Sequence, residues 1–367
     1  MKEDSEVRII IAGGGTGGHL FPGIAMAEEF LRINSKSKIM FVGTVHGIEN
    51  RVIPDEGFSF FPISAYGLFG KSLLQKVKGM VSMLWGSVQS MGIILKQKPD
   101  LIIGVGGYAS APMLLAALVT GKKFVIQEQN SIPGNVNTLF GKWADTVFTS
   151  FEDTKNLMQG TKKVVCSGNP IRTASNVVEN DSILKSSDKF RILVFGGSLG
   201  AHAINEMMQE VLPLLKGSEN EISILHQTGQ KDFKEVEEAY KKSGMDAEVK
   251  PFVDKLYTYY QYADLIICRA GATTIAELTN YGKAALLIPF PHAIKNHQEL
   301  NARELEKEGA AFVHIEKELN VQDIANTIID LKNNPEKLRT MGENAKKLGH
   351  KNASEAIVKE CYSLIEK

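Results

Sequence analysis

Two stretches of this chain are built alike: VRIIIAGGGTGGHLFPG from Val7 and FRILVFGGSLGAHAINE from Phe190. Each is an apolar β-branched run, a glycine turn, and the start of an amphipathic segment. Around both, short β-branched runs alternate with helix-length stretches. Near-continuous apolar strands separated by helices imply a parallel sheet covered on both faces. A plan that restarts half-way implies two such sheets. The strands expected in the first half are Arg8–Ala12, Lys38–Val42, Asp100–Val105, Lys123–Gln127, Thr146–Thr149 and Lys163–Cys166. In the second they begin at Phe190, then Ile222–Leu225, Leu265–Cys268, Ala284–Ile288 and Ala311–Ile315. The fold class expected is therefore α/β, two doubly wound domains whose strand ends face a common cleft, where ligands of such folds bind. The polar stretch Thr173–Lys189 reads as the linker, which gives domains over 1–172 and 173–350. A helical pattern over Ala353–Glu366 is expected to bring 351–367 back onto the first domain.

Composition removes several function classes. Forty-two basic residues balance forty-two acidic ones, so no global field draws the chain to nucleic acid. Cys166, Cys268 and Cys361 are scattered, without metal-ligand spacing, which suits a reducing compartment. The residues before the first glycine loop do not read as a signal peptide. The longest apolar run elsewhere, Ala111–Val119, is far short of a bilayer span.

Gly13, Gly15 and Gly18 satisfy G-x-G-x-x-G after a strand, a weak dinucleotide signal by itself. Glycines let a ligand approach bare backbone amides, and a helix N-terminus favours anions. A dinucleotide fold also needs an acidic residue at the end of the second strand to hold a ribose. Here that strand ends in FVGT, while Glu28 and Glu29 fall too early, inside the first helix. A nicotinamide dehydrogenase loses its second requirement. His19 opens the helix directly after Gly18, where it serves either as a proton acceptor or as a cap of the turn.

The second half offers two further anion sites. GGSLGA (196–201) repeats the glycine turn, with the Ser198 hydroxyl as a phosphate donor. In CRAGATTIAEL a strand ends at Cys268, a small-residue turn follows, and a helix begins near Thr273. Glu277, about one turn in, is placed either to accept from ribose hydroxyls or to complement the helix dipole. PFPHAIKNHQELNA is a proline-stiffened loop in which Gln298 reaches a sugar hydroxyl; His292 and His297 read as polar surface rather than metal ligands.

These residues resemble a known family. GGGTGGHLFP (13–22), GVGGYASAP (104–112), EQNSIPG (128–134), SGNPIR (167–172), GGSLGA, HQTG (226–229), CRAGATTIAEL (268–278) and PFPHAIKNHQELNA (289–302) stand in the order of the MurG family of GT-B glycosyltransferases, across nearly the whole chain. The resemblance implies a GT-B fold of two Rossmann-like domains and inverting transfer of N-acetylglucosamine from UDP-N-acetylglucosamine to lipid I, giving lipid II for peptidoglycan. It implies that Thr16, Gly17 and Gly18 lie beside the donor's diphosphate and sugar. Asn130 and Gln298 would contact the donor sugar, and Arg172 and Ser198 the diphosphate. Val253 would meet uracil through its backbone. Ala272, Thr273, Thr274, Ile275, Ala276 and Glu277 would hold phosphate and ribose, with Glu277 on the ribose. His19 becomes the candidate base, and Tyr108 and Ser110 fall on the acceptor side. Two departures stand out: Ala270 in the Arg269-Ala270-Gly271 turn where some relatives carry serine, and His297 beside Gln298 where some carry a second glutamine. With no carboxylate cluster, no metal and no cofactor are expected, and activity should survive chelators.

Lipid I stays in its membrane, so the resemblance implies a peripheral enzyme on the cytoplasmic face of the inner membrane, bound to an anionic surface. It leaves room for partners among cell-wall synthesis proteins and none for nucleic acid. In the stretch 72–98, Leu73, Val77, Val81, Leu84, Val88, Met91 and Leu95 share one helical face, the pattern of a core-facing helix. Leu74 and Trp85 lie off that stripe beside Lys78, and Leu68, Phe69 and Lys71 precede it. Apolar groups interleaved with lysine suit a membrane interface. The rival functions are a GT-B transferase glycosylating diacylglycerol, a sugar-nucleotide epimerase needing no acceptor, and a binding subunit without transfer.

Overall fold

A computed structural model describes residues 6–67, 73–172, 188–197, 199–253 and 256–366, without the side chains of 73–77. Leu68, Phe69, Lys71, Ser198, the linker residues 173–187 and the side chain of Leu74 lie outside the described residues. The chain forms two compact units, Met1–Arg172 with Asn352–Lys367, and Thr173–Lys351.

In the first unit, seven strands form one sheet: β1 (Arg8–Ala12), β2 (Lys38–Thr44), β3 (Ser59–Ile63), β4 (Leu101–Gly104), β5 (Phe124–Glu128), β6 (Thr146–Thr149) and β7 (Val164–Cys166). Their order is β3-β2-β1-β4-β5-β6-β7, parallel throughout. The order reverses between β1 and β4, so the turns after both strands open at the switch point where such sheets bind ligands. Alternation along β1 serves both faces. Ile9 and Ile11 pack with Leu20, Ile24 and Phe30, while Ile10 and Ala12 pack with Met113, Leu114 and Ile126. The helix Ala353–Glu366 completes the first of these layers: Ile357, Val358, Cys361 and Tyr362 are buried in it, and Tyr362 tilts against Phe30 at 5.5 Å.

The second unit repeats the scheme with β8 (Phe190–Phe195), β9 (Ile222–Gln227), β10 (Asp246–Lys250), β11 (Leu265–Cys268), β12 (Ala284–Leu287) and β13 (Ala311–Val313). The order is β10-β9-β8-β11-β12-β13, again parallel, with its reversal between β8 and β11. The turns after β8 and β11 are GGSLGA and the Arg269-Ala270-Gly271 turn.

The helix Leu73–Gln97 overturns one expectation. Val81, Leu84, Val88 and Leu95, assigned by their spacing to the core, are exposed, with Leu84 61% accessible. The buried face is instead Gly79, Gly86, Ser87, Ser90 and Ile94. A Cβ on Gly86 would collide with the Ser64 carbonyl and sit 3.3 Å from Pro112. Close backbone approach at Gly86 selects small residues for the inner face there, and Val81, Leu84, Val88 and Leu95 turn outward with Met80 and Trp85, the latter 58% accessible.

Candidate active site

The first glycine loop joins β1 to the helix Gly17–Ile33. Its most consequential neighbour is Glu49, buried at the start of the helix Glu49–Asp55. One Glu49 oxygen accepts from the Thr44 amide and hydroxyl, both at 3.0 Å, and the other accepts from the Gly15 amide at 2.8 Å. A side chain on Gly14, which sits at φ +146°, would overlap that carboxylate. The acid absent from the end of β2 therefore exists five residues on, turned onto the loop instead of towards a ribose. A carboxylate already fills the anion seat at Gly15 and repels a phosphate there. The loop's offer to a ligand narrows to Thr16, Gly17 and Gly18. Thr16 caps the helix with extended backbone and no side-chain capping bond.

His19 stands in the first turn of that helix, and its Nδ1 lies 2.9 Å from Gln129 Oε1. The ring lies against Gly106 and Gly107: added Cβ atoms there would come 3.1 Å from Nδ1 and 3.4 Å from Cδ2. Both glycines have positive φ, +91° and +73°, so the loop after β4 gives the imidazole a flat backbone bed. Capping does not account for this arrangement, because the ring bonds a residue on another loop.

EQNSIPG is folded around the buried Glu128. Its oxygens accept from the Asn130 amide (2.9 Å), the Gly134 amide (2.9 Å) and Asn137 Nδ2 (2.8 Å). Asn130 is thereby fixed at the carboxyl end of β5. Tyr108 is 40% exposed, and its ring lies within 3.6 Å of a Cβ added to Gly15. Ser110 departs from the acceptor-side expectation. It is fully buried and donates its hydroxyl to the Gly107 carbonyl at 2.9 Å, so it shapes the loop that carries Tyr108 and cannot touch an acceptor. Arg172 also departs: its guanidinium pairs with Glu56 at 2.8 Å and Glu28 at 2.9 Å. Two carboxylates engage it, and a diphosphate would have to displace them.

The second unit is arranged differently. The helix Ala272–Tyr281 starts after Gly271 with no side-chain cap and no acidic residue in its first turn, leaving an N-terminus suited to an anion. Glu277 lies beyond that first turn, so complementing the dipole is not its role. Its Oε2 accepts from the buried Tyr260 hydroxyl at 2.8 Å. Burial pushes the Glu277 carboxyl up to about 7, against the lowering effect of the Tyr260 hydrogen bond. Thr273, Thr274, Ile275 and Ala276 follow on the same helix, with Ile275 and Ala276 turned into the core.

Two backbone turns of the same unit meet. A Cβ on Gly200 would overlap the Thr228 carbonyl, which ties GGSLGA to HQTG. Buried Gln227 donates to the Gly197 carbonyl at 2.7 Å and accepts from the Val253 amide at 3.1 Å. With that amide engaged, a base meeting Val253 through its backbone meets the carbonyl. Arg269, nearly buried, donates to the carbonyls of Ile288 (3.1 Å) and Pro289 (3.2 Å) and lies over the Phe290 ring, pinning the proline loop. Gln298 Oε1 accepts from the Phe290 amide at 3.0 Å, which leaves its NH2 end as the group able to donate. His292 is exposed and His297 contacts the Ile294 carbonyl; among the described residues no His, Cys, Asp and Glu cluster suited to a metal is found.

Residues 9–149 match the glycosyltransferase family 28 N-terminal domain and residues 191–357 its C-terminal domain. The UDP-N-acetylglucosamine--N-acetylmuramyl-(pentapeptide) pyrophosphoryl-undecaprenol N-acetylglucosamine transferase of Geobacter sulfurreducens is 46% identical over 363 residues, 98% of this chain and 100% of that protein. The crystal structure of Acinetobacter baumannii MurG has a TM-score of 0.76 at 30% identity, over 96% of this chain and 98% of that one. The chain belongs to the MurG branch of glycosyltransferase family 28.

Membership fixes the GT-B fold class of two parallel-sheet Rossmann-like units. A putative UDP-N-acetylglucosamine 2-epimerase from Listeria monocytogenes has the same fold, with a TM-score of 0.68 at 16% identity over 96% of this chain and 95% of that one. Sequence reasoning for this family missed Glu49, Gln129, Gln227 and Tyr260. Gln129 and Gln227 stand inside the EQNSIPG and HQTG stretches, and Tyr260 in an aromatic run, YTYYQY, just before β11; Glu49 left no local signal.

Proposed function

We propose that this chain transfers N-acetylglucosamine from UDP-N-acetylglucosamine to the C4 hydroxyl of the muramoyl sugar of undecaprenyl-linked lipid I, with inversion, giving lipid II. The observation that carries this reading is the unlikeness of two glycine loops that look alike in sequence. In the first, Glu49 occupies the Gly15 amide and a histidine opens the following helix. The second belongs to a unit with an uncapped helix N-terminus and a carboxylate one turn behind it. The first brings a proton acceptor to the hydroxyl that must lose its proton, and the second unit suits a nucleoside diphosphate.

In the reaction the acceptor O–H bond breaks and its proton passes to His19. The oxygen bonds to the anomeric carbon as the bond to the diphosphate breaks, and the electron pair leaves on UDP. The transition state is oxocarbenium-like, as in other glycosyl transfers. Charge building on the leaving diphosphate is met by amides at the Ala272 helix start. Glu277 holds the ribose and Gln298 the donor sugar. The test is an assay with radiolabelled UDP-N-acetylglucosamine and a lipid I analogue, run beside the glucose and galactose donors. Product with the first donor alone is expected; transfer to diacylglycerol, or donor turnover without acceptor, overturns the reading.

Among the described residues no helix is long and apolar enough to cross a membrane. The outward stripe Met80, Val81, Leu84, Trp85 and Val88, with exposed Lys78 beside it, supports peripheral binding at the cytoplasmic leaflet. A fully buried large apolar side chain contributes roughly 1.5–3 kcal/mol. Leu84→Ser with Trp85→Ser is therefore expected to weaken binding to anionic vesicles at least tenfold, as ~1.4 kcal/mol is one decade. Sedimentation with vesicles measures it, and unchanged binding in a folded variant removes this face from the account.

A further inference from the structure

An imidazole can accept a proton only at the nitrogen that carries none, so the tautomer of His19 decides whether it can act. That choice is made by a neighbour given no role above. His19 Nδ1 lies 2.9 Å from Gln129 Oε1. The other end of the Gln129 amide is ringed by oxygens: the Val105 carbonyl at 2.7 Å, the Gln127 carbonyl at 3.4 Å, and Gln127 Oε1. Only an NH2 group fits among three acceptors, which assigns the opposite end as oxygen. That oxygen has no hydrogen and can only accept. The nitrogen facing it must donate.

We infer that Gln129 is a positioning residue that holds His19 in the Nδ1–H tautomer, leaving Nε2 to take the proton of the acceptor hydroxyl. The inference rests on the reading of His19 as the base. Gln129 is 1% exposed, and reversing its amide would bring its oxygen against the Val105 carbonyl. Gly106 and Gly107 hold the ring plane, so a ring flip would put carbon where Nδ1 now donates and leave the Gln129 oxygen without its donor. When the acceptor O–H bond breaks, its proton binds Nε2. The imidazolium then carries hydrogen on both nitrogens, and Nδ1–H keeps its bond to Gln129 throughout. The amide is neutral, so it orients the ring without drawing the proton across.

Two-bond 1H–15N spectra of the full chain labelled in its eight histidines test this, because protonated and bare ring nitrogens resonate far apart. The His19 signals are those missing from His19→Ala. Neutral His19 is expected with hydrogen on Nδ1. In Gln129→Met, of similar size but without an acceptor, the tautomers should mix. Turnover should then fall about 10–100-fold, as for other partners that orient a histidine, with the KM of donor and acceptor within a few-fold. A parent spectrum with hydrogen on Nε2 overturns the inference whatever the variant does, and leaves His19 as a base. Unchanged turnover in a folded Gln129→Met also overturns it. Full turnover in His19→Ala instead sinks the base reading, and the lock's catalytic purpose with it, even where the tautomer is as expected.

Discussion

His19→Ala should lower turnover by about 10²–10⁴-fold, the range of a general base, while donor affinity stays within a few-fold. The expectation follows from where the ring sits. It is held by Gln129 and by the backbone of Gly106 and Gly107, all in the first unit, whereas the features suited to the nucleotide lie in the second. Removing the imidazole leaves Glu277, the Ala272 helix start and the Val253 carbonyl as they were. Steady-state kinetics with a lipid I analogue and direct titration of UDP-N-acetylglucosamine separate the two effects. Turnover within a few-fold of the parent would mean that another group takes the proton. A parallel loss of donor affinity would mean that the ring serves binding.

Glu277→Gln is expected to weaken donor binding about 10–100-fold at pH 8, since hydrogen bonds to a charged group contribute roughly 1.5–3 kcal/mol. The parent should also show a pH dependence that the variant lacks. Burial raises the Glu277 carboxyl from 4.5 to about 7, so near pH 6 most of the free protein carries it protonated. Ribose hydroxyls donate to the carboxylate, which means that binding must first expel the proton. Affinity for UDP should therefore rise about tenfold from pH 6 to pH 8 and then level, with proton release on binding below pH 7. The same shift acts on folding with the opposite sign. The native state binds more protons than the unfolded chain between pH 4.5 and about 7, so stability from this group falls across that window. Tyr260→Phe removes the hydrogen bond that lowers the carboxyl, and should move the binding curve to higher pH. Calorimetry in buffers of different ionisation enthalpy reads the proton directly. A flat affinity between pH 6 and pH 8 would show that Glu277 does not meet the ribose as a carboxylate.

The strands buried on both faces were legible because β-branched residues run through them without interruption. Arg8–Ala12, Thr146–Thr149 and Leu265–Cys268 are found where the pattern puts them. The two strands that escaped, β3 (SFFPI) and β10 (DAEVK), are the edge strands beside β2 and β9. An edge strand tolerates proline and charge, because one side of it needs no partner. The helix Leu73–Gln97 misled for a related reason. Periodicity reports which residues share a face, and only the close approach at Gly86 shows that the small residues point inward.

Within the site, the glycine loops and their helices were visible locally, as were His19 and Glu277. Glu49 was not, and Gln129 was visible only as part of EQNSIPG without its role, because their partners lie 34 and 110 residues away. Ser110 misled because a motif gives a position and not the direction of a side chain.

The helix at Ala353–Glu366 has a consequence for biosynthesis. It supplies part of the layer around Phe30, Leu20 and Ile24, so the first unit is completed only after the second has been synthesised. Until that helix has been made, the first unit must wait with an apolar flank uncovered, exposed to chaperones and to aggregation. Losing even the final turns should harm the earliest-made half of the enzyme more than the half that adjoins them in sequence.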